Sequence, residues 1–358
     1  MVRDYSAFMP GAAVPQNEPT PLERLGWGPA FSQQIEADAL TATPPVRVVA
    51  VHRSGLQVLG DGIQTKLPPM AEATVGDWVL YDANSPRDSR VLERKSLIKR
   101  RAPGHDRSEQ LIAANIDTVF VVTSCNQDFN VARLERYLAL AFEAGIEPVI
   151  LLTKPDLTDD AQSYVEQAKA ISDRVAVLAI NAKSDQPAEA LADWCRKGRT
   201  VAFLGSSGVG KSTLTNALLG ADAIATQGIR EDDARGRHTT THRELHQIPS
   251  GAIVLDTPGM RELQLTDAAS GIAAVFEDID DLAAACRFND CKHEGEPGCA
   301  VQAAVADGTL DPDRLERWRK LQAEDAFNSA TLAQRRGKDR AFGKMVKSAM
   351  KDKSNRRG

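Results

Sequence analysis

Unbroken apolar runs recur through the middle of the chain: Thr118 to Thr123, Pro148 to Leu152, Val175 to Ile180, Val201 to Leu204 and Ala252 to Leu255. Short runs of this kind, rich in Val, Ile and Leu, predict strands buried on both faces. Helical periodicity fills the gaps at Val131 to Ala144, Ala161 to Ile171, Pro187 to Trp194 and Leu214 to Leu219. Strand and helix in alternation predict an α/β class fold, a doubly wound sheet with its ligands at the carboxyl ends of the strands. Upstream the pattern changes. From Val46 to about Arg101, short alternating runs are broken by Ser54-Gly55, Gly60-Asp61-Gly62 and Gly76-Asp77. That spacing predicts a small all-β barrel, OB or SH3-like. Leu25-Gly26-Trp27 and Phe31 before it predict a short helix or arm packed on the barrel.

The run Val201 to Leu204 leads into Gly205-Ser206-Ser207-Gly208-Val209-Gly210-Lys211-Ser212-Thr213 and then into a helix. This is the strand, turn and helix context of a phosphate loop. Backbone NH groups of the turn and the positive end of the helix can surround phosphate oxygens. Lys211 is placed to reach the β and γ phosphates, and Ser212 to ligate Mg²⁺. Ala252 to Leu255 end in Asp256-Thr257-Pro258-Gly259, which puts a carboxylate, Asp256, at a neighbouring strand tip as a second Mg²⁺ ligand. Between the two lies Gly236-Arg237-His238-Thr239-Thr240-Thr241, which reads as a switch loop. A threonine there, Thr240 by preference among the three, can complete the metal shell.

A second nucleotide motif precedes the first. Thr153-Lys154-Pro155-Asp156 follows the run Pro148 to Leu152, and Asp156 can accept two hydrogen bonds from guanine. Adenine offers no such donor pair. Lys154 would lie along the ring, while Thr153 stands where Asn is usual. Asn181-Ala182-Lys183, after Val175 to Ile180, reads as the loop whose backbone NH meets the guanine carbonyl. Only 26 residues separate Gly259 from Cys286, too few for several further strand and helix repeats. The missing repeats are upstream, so the order is that of a circularly permuted GTPase.

Cys286-x4-Cys291-x-His293-x5-Cys299 places four soft or borderline ligands in a loop with Gly295, Pro297 and Gly298. A closed Cys3His set suits one structural Zn²⁺. Cys125 and Cys195 lie on apolar segments and read as buried thiols. Five cysteines with a metal-like cluster and no leader pattern predict a reducing, cytoplasmic location. The chain carries a net charge of -5, yet residues 331–358 hold ten Lys or Arg against Asp339 and Asp352, a local +8. A basic tail on an acidic body suits a partner of dense negative charge, such as RNA. No apolar or aromatic face accompanies it, which argues against a membrane surface. Arg94-Lys95 and Lys99-Arg100-Arg101 form a second basic stretch, readable as an RNA contact or as a solvated strand end.

The permuted order, the switch-like segment, Asp256 to Gly259 and the Cys286, Cys291, His293, Cys299 cluster together resemble the RsgA (YjeQ) family of small ribosomal subunit biogenesis GTPases. The resemblance covers roughly residues 22 to 325. It selects OB for the barrel and implies an arm at 1–40, an OB-fold barrel at 41–108, a permuted GTPase domain at 109–270, a helical zinc domain at 271–330 and a basic tail at 331–358. It also implies GTP hydrolysis stimulated by the 30S subunit, late in that subunit's assembly, and contact with 16S rRNA. Met260 occupies the place of the glutamine that commonly positions the attacking water, and an apolar side chain cannot orient water. The family resemblance points instead to His238, with Arg237 beside it for phosphate or RNA. A monomer is expected. Two other classes stay open: an ATPase on the same phosphate loop, which leaves Thr153 to Asp156 without a role, and an RNA-binding adaptor in which GTP is structural.

Overall fold

The computed structural model describes residues 18–36, 39–101, 109–184, 187–220, 244–256 and 265–329. Three short helices open the described chain: α1 (Pro21–Arg24), α2 (Pro29–Ser32) and α3 (Ala39–Ala42). Five antiparallel strands follow: β1 (Pro45–His52), β2 (Gly55–Gly60), β3 (Gln64–Leu67), β4 (Trp78–Leu80) and β5 (Arg90–Val91). Their inward positions, Val46, Val48, Leu56, Val58, Leu67 and Val79, close a small core of their own. The arm packs as expected, with Trp27 edge-on to Trp78 at 4.7 Å and Phe31 beside both.

A separate hairpin, β6 (Leu97–Arg101) with β7 (Glu109–Ala114), leads into the α/β part. Its elements run β8 (Thr118–Ser124), α4 (Val131–Glu143), β9 (Glu147–Thr153), α5 (Ala161–Lys169), β10 (Ala176–Ile180), α6 (Pro187–Ala190), β11 (Thr200–Leu204), α7 (Lys211–Leu219), β12 (Glu244–Gln247) and β13 (Ile253–Asp256). Strand order is β10-β9-β8-β11-β13-β12, parallel except for β12. The sheet is the doubly wound one that the apolar runs predict. From β8 the chain winds outward through β9 and β10, then returns to insert β11 on β8's other side. That reversal makes the β8/β11 boundary a topological switch point, where open α/β sheets bind ligands. The two faces are covered separately: Leu134 and Leu138 of α4 pack into one core, Leu214 and Leu218 of α7 into the other.

Four helices complete the described chain: α8 (Ala269–Val275), α9 (Glu277–Ala284), α10 (Ala300–Ala306) and α11 (Pro312–Ser329). They do not form a detached module. Gly271 of α8 lies directly on α4, where an added Cβ would collide with the Ala139 carbonyl, so only glycine permits the crossing. Val301, Leu315, Trp318 and Leu321 share one core with Leu138 and Ile150 of the sheet layer. The expected divisions at 40/41 and 270/271 fall inside α3 and α8, and that at 108/109 falls between the paired strands β6 and β7.

At the other end β12 pairs with β1 at Glu244 and Ala50, so the small sheet and the large one are continuous. Arg47 of β1 fastens this junction from inside. Its buried guanidinium donates to the carbonyls of Leu25, Gly76 and Asn115, and to Thr200 Oγ1 at the start of β11 at 2.8 Å. Burial lowers its pKa to about 10, which leaves it charged at neutral pH.

Candidate functional site

The nucleotide motifs among the described residues lie at one edge of the large sheet, because each follows the carboxyl end of a parallel strand. The phosphate loop leaves β11 at Gly205, whose φ of +153° and close approach to the Val122 carbonyl exclude a side chain. Gly208 and Gly210 also take positive φ, and Gly210 caps α7, which begins at Lys211. Ser212 and Thr213 follow in its first turn, where backbone NH groups lack helical partners and favour an anion. Lys211 Nζ donates to the Gly205 carbonyl at 2.8 Å and to the Ser206 carbonyl. Ser207 is exposed beside Gly208, while Val209 is buried and anchors the loop in the α7-side core.

Thr153 and Lys154 turn out to be fasteners of this loop. The buried Thr153 hydroxyl donates to the Val209 carbonyl at 2.6 Å and lies 3.1 Å from the Thr123 carbonyl. Lys154, with φ of +57°, reaches across to the Gly208 carbonyl at 2.9 Å. Thr153 therefore provides a loop contact from a shorter side chain than Asn. Pro155 and Asp156 form a single 3-10 turn that leaves the Asp156 carboxylate exposed. Asn181 closes the next turn: its Oδ1 accepts from Lys183 N at 3.0 Å and its carbonyl from Ser184. Ala182 packs on the core beneath.

Asp256 ends β13 beside β11, in register one position beyond the Ala202–Leu255 pair. Only its backbone is described. Thr240, His238, Arg237, Gly259 and Met260 lie outside the described residues, as do residues 331–358.

One neighbour of the loop escapes sequence reading. Arg133, in the first turn of α4, donates from Nη1 to Ser206 Oγ at 2.6 Å. Its distance of 73 residues from Ser206 hides it. The available signal is topological: α4 follows β8, and β8 is the strand that β11 joins.

The basic stretch is largely used internally. Arg94 is bidentate to the buried Asp77, Lys95 pairs with Asp117 at 2.8 Å, Lys99 with Glu109 at 3.0 Å, and Arg100 Nε donates to Gln110. The apolar cavity of about 130 Å³ between the β6–β7 hairpin and α4, lined by Leu97, Ile98, Val119, Leu140, Ile146 and Leu204, is smaller than a typical ligand pocket.

The second candidate centre is the Cys3His cluster. One ligand atom from each of Cys286, Cys291, His293 and Cys299 lies within 4.8 Å of the others. Cys286 Sγ and Cys299 Sγ are 3.9 Å apart, and His293 Nδ1 is 3.6 and 3.4 Å from them. A tetrahedral ion at ordinary Zn–S and Zn–N lengths requires separations of about 3.8 and 3.6 Å. The donor set thus fits a metal, through Nδ1 of the histidine. His293 is fixed by φ of +61°, by Gln302 and Arg319 donating to its carbonyl, and by the Trp318 ring at 5.7 Å. Cys299 caps α10, accepting from Gln302 N. All five cysteines are free, and burial pushes the Cys195 thiol up to about 12, as befits an inert core residue.

A parallel sheet of this order, a phosphate loop at its switch point and an upstream base loop define a circularly permuted P-loop GTPase with a Cys3His module. Comparison with known proteins narrows the class. Residues 91–266 match the model of the RsgA GTPase family. The small ribosomal subunit biogenesis GTPase RsgA 2 of Vibrio parahaemolyticus is 49% identical over 339 residues, 94% of each chain. RsgA of Mesorhizobium japonicum is 51% identical over 333 residues, 91% of this chain and 95% of that one. The chain belongs to the RsgA GTPase family. Among solved structures, YjeQ from Thermotoga maritima superposes with a TM-score of 0.57 at 26% identity over 77% of this chain and 96% of that one. YloQ, a circularly permuted GTPase, does so at 0.55 and 24%, covering 81% and 97%.

Proposed function

We propose that this chain hydrolyses GTP while bound to the 30S ribosomal subunit, late in that subunit's maturation, and that the subunit stimulates turnover. The observation that carries this reading is the joining of base loop and phosphate loop, through Thr153 and Lys154, in a chain about half identical to small ribosomal subunit biogenesis GTPases over nearly its whole length.

Guanine is selected by Asp156, with Asn181, Ala182 and Lys183 supplying the turn against its carbonyl. Gly205 to Thr213 wrap the phosphates, and Lys211 reaches them from beside the Gly205 and Ser206 carbonyls. Ser212, Asp256 and Thr240 would hold Mg²⁺, which when bound with the nucleotide neutralises phosphate charge. Gly259 lies at the turn that follows Asp256. His238 orients the attacking water, a task that Met260 cannot perform. The Cys3His set suits one structural Zn²⁺, and no coordination position is left for catalysis. The strands β1 to β5 serve as an OB-type RNA-binding barrel, with the arm at 1–40, the GTPase domain at 109–270, the zinc domain at 271–330 and the tail at 331–358 completing the plan. The tail's charge suits 16S rRNA. A cytoplasmic location and a monomer complete the proposal, and no helix among the described residues is long and apolar enough to cross a membrane.

The test is GTP hydrolysis by the purified protein alone, with 30S and with 50S subunits, under competing ATP. Stimulation by 30S alone, unchanged by ATP, is expected, and His238→Ala should lose the stimulation while keeping GTP affinity. GTP binding without any stimulation would favour the adaptor reading, and ATP competition an ATPase.

A further inference from the structure

Lys211 is one anchor of the outer limb of the phosphate loop. Its Nζ donates to the carbonyls of Gly205 and Ser206, and the same ammonium, with three donors, also has to serve the β and γ phosphates when nucleotide arrives. The limb then shares its lysine anchor with the nucleotide. Thr153 and Lys154 grip the loop further along, at Val209 and Gly208. At Ser206 the remaining side-chain contact among the described residues is Arg133.

We propose that Arg133 is a positioning residue for GTP turnover, holding the Ser206 limb from across the β8/β11 crevice while Lys211 also serves the phosphates. The inference rests on the GTPase reading. Its platform is rigid. Asn130 caps α4 by accepting from Arg133 N at 2.8 Å, and the next two residues, Leu134 and Glu135, are buried. Glu135 is gripped by Arg317 of α11 at 2.9 Å, Arg136 pairs with Glu324 of the same helix at 2.6 Å, and Gly271 seats α8 on α4 two turns further along. The Arg133 backbone is thus fixed relative to the loop. The side chain is largely exposed, so its contact stabilises the loop's position more than the fold. A fixed guanidinium at the loop also places a positive charge on the phosphate side of the crevice.

Precise alignment serves the chemical step more than affinity, since binding is spread over the loop NH groups and the base. Arg133→Ala should therefore lower kcat roughly tenfold, within what a charge-assisted hydrogen bond supports, with KM shifted less than about threefold. Arg133→Lys should recover most of that loss. Ser206→Ala should reproduce the fall in kcat, and the double variant should be no worse than either single one, because both remove one interaction. Mant-GDP affinity and thermal midpoints, followed in parallel, should stay near wild type. A kcat for Arg133→Ala within twofold of wild type, or additive losses in the double variant, would overturn the assignment. Absence of GTP turnover in the wild type itself would instead overturn the GTPase reading.

Discussion

Thr153 departs from the asparagine usual at its position, and the structure supplies the physical reason it works. A β-branched residue suits the last position of a buried strand, and its hydroxyl is already within reach of the Val209 carbonyl. Removing the hydroxyl at constant shape tests this. Thr153→Val should cost about 1–2 kcal/mol of stability in urea unfolding, since it strands a buried carbonyl, and should weaken GTP binding several-fold through a looser loop. Residue chemistry at this site was largely legible beforehand, because the phosphate loop, Thr153 to Asp156 and the Cys3His set are local spacings. Arg133, Arg47 and Glu135 were not. Each acts on a partner tens of residues or more away, and a lone charged residue carries no local pattern that names such a partner.

Among elements, α4 does the most joining. Its sequence shows an amphipathic helix, but Glu135 sits on the apolar side, between buried Leu134 and Tyr137. The reason is Arg317 and Arg314 of α11, which meet Glu135 at 2.9 and 3.5 Å while Arg314 also binds Asp278 of α9. Burial raises the Glu135 pKa against the opposing pull of Arg317 and Arg314, with Asp278 raising it slightly further. A carboxyl whose folded pKa is raised adds stability below its unfolded value and loses it as pH climbs through the folded one. Wild type minus Glu135→Gln, measured by chemical unfolding across a pH series, should therefore decline as pH rises above about 4.3. A difference that grows with pH would show the arginines outweighing desolvation. The strands and helices of the large sheet follow the apolar runs apart from β12, which no apolar run marks. Helices α3 and α8 and the β6–β7 pairing span places where the family resemblance implied divisions.

For the whole molecule, the Cys3His cluster belongs to a core that continues into the GTPase layer, since Cys299 and Trp318 share it with Leu138 and Ile150. Stripping the metal with a chelator, or replacing Cys299 with Ala, should remove close to one zinc per chain by elemental analysis and lower stability by several kcal/mol. Because the core is shared, the melt should shift as one transition. Two separated transitions would show that the parts unfold independently.

The late insertion of β11 also shapes how the chain is made. Strands β8, β9 and β10 can pair as soon as they leave the ribosome, but β8 is buried along its whole length and borders β11 on one side. Until residues 200–204 emerge, that side is an open, apolar edge. About 75 residues of synthesis separate the two strands, on the order of ten seconds at ordinary translation rates. The permuted order thus makes the strand that bears the phosphate loop also the strand that covers β8, before β13 in turn covers it, so a chain interrupted ahead of β11 exposes an adhesive edge on β8 as well as lacking a nucleotide site.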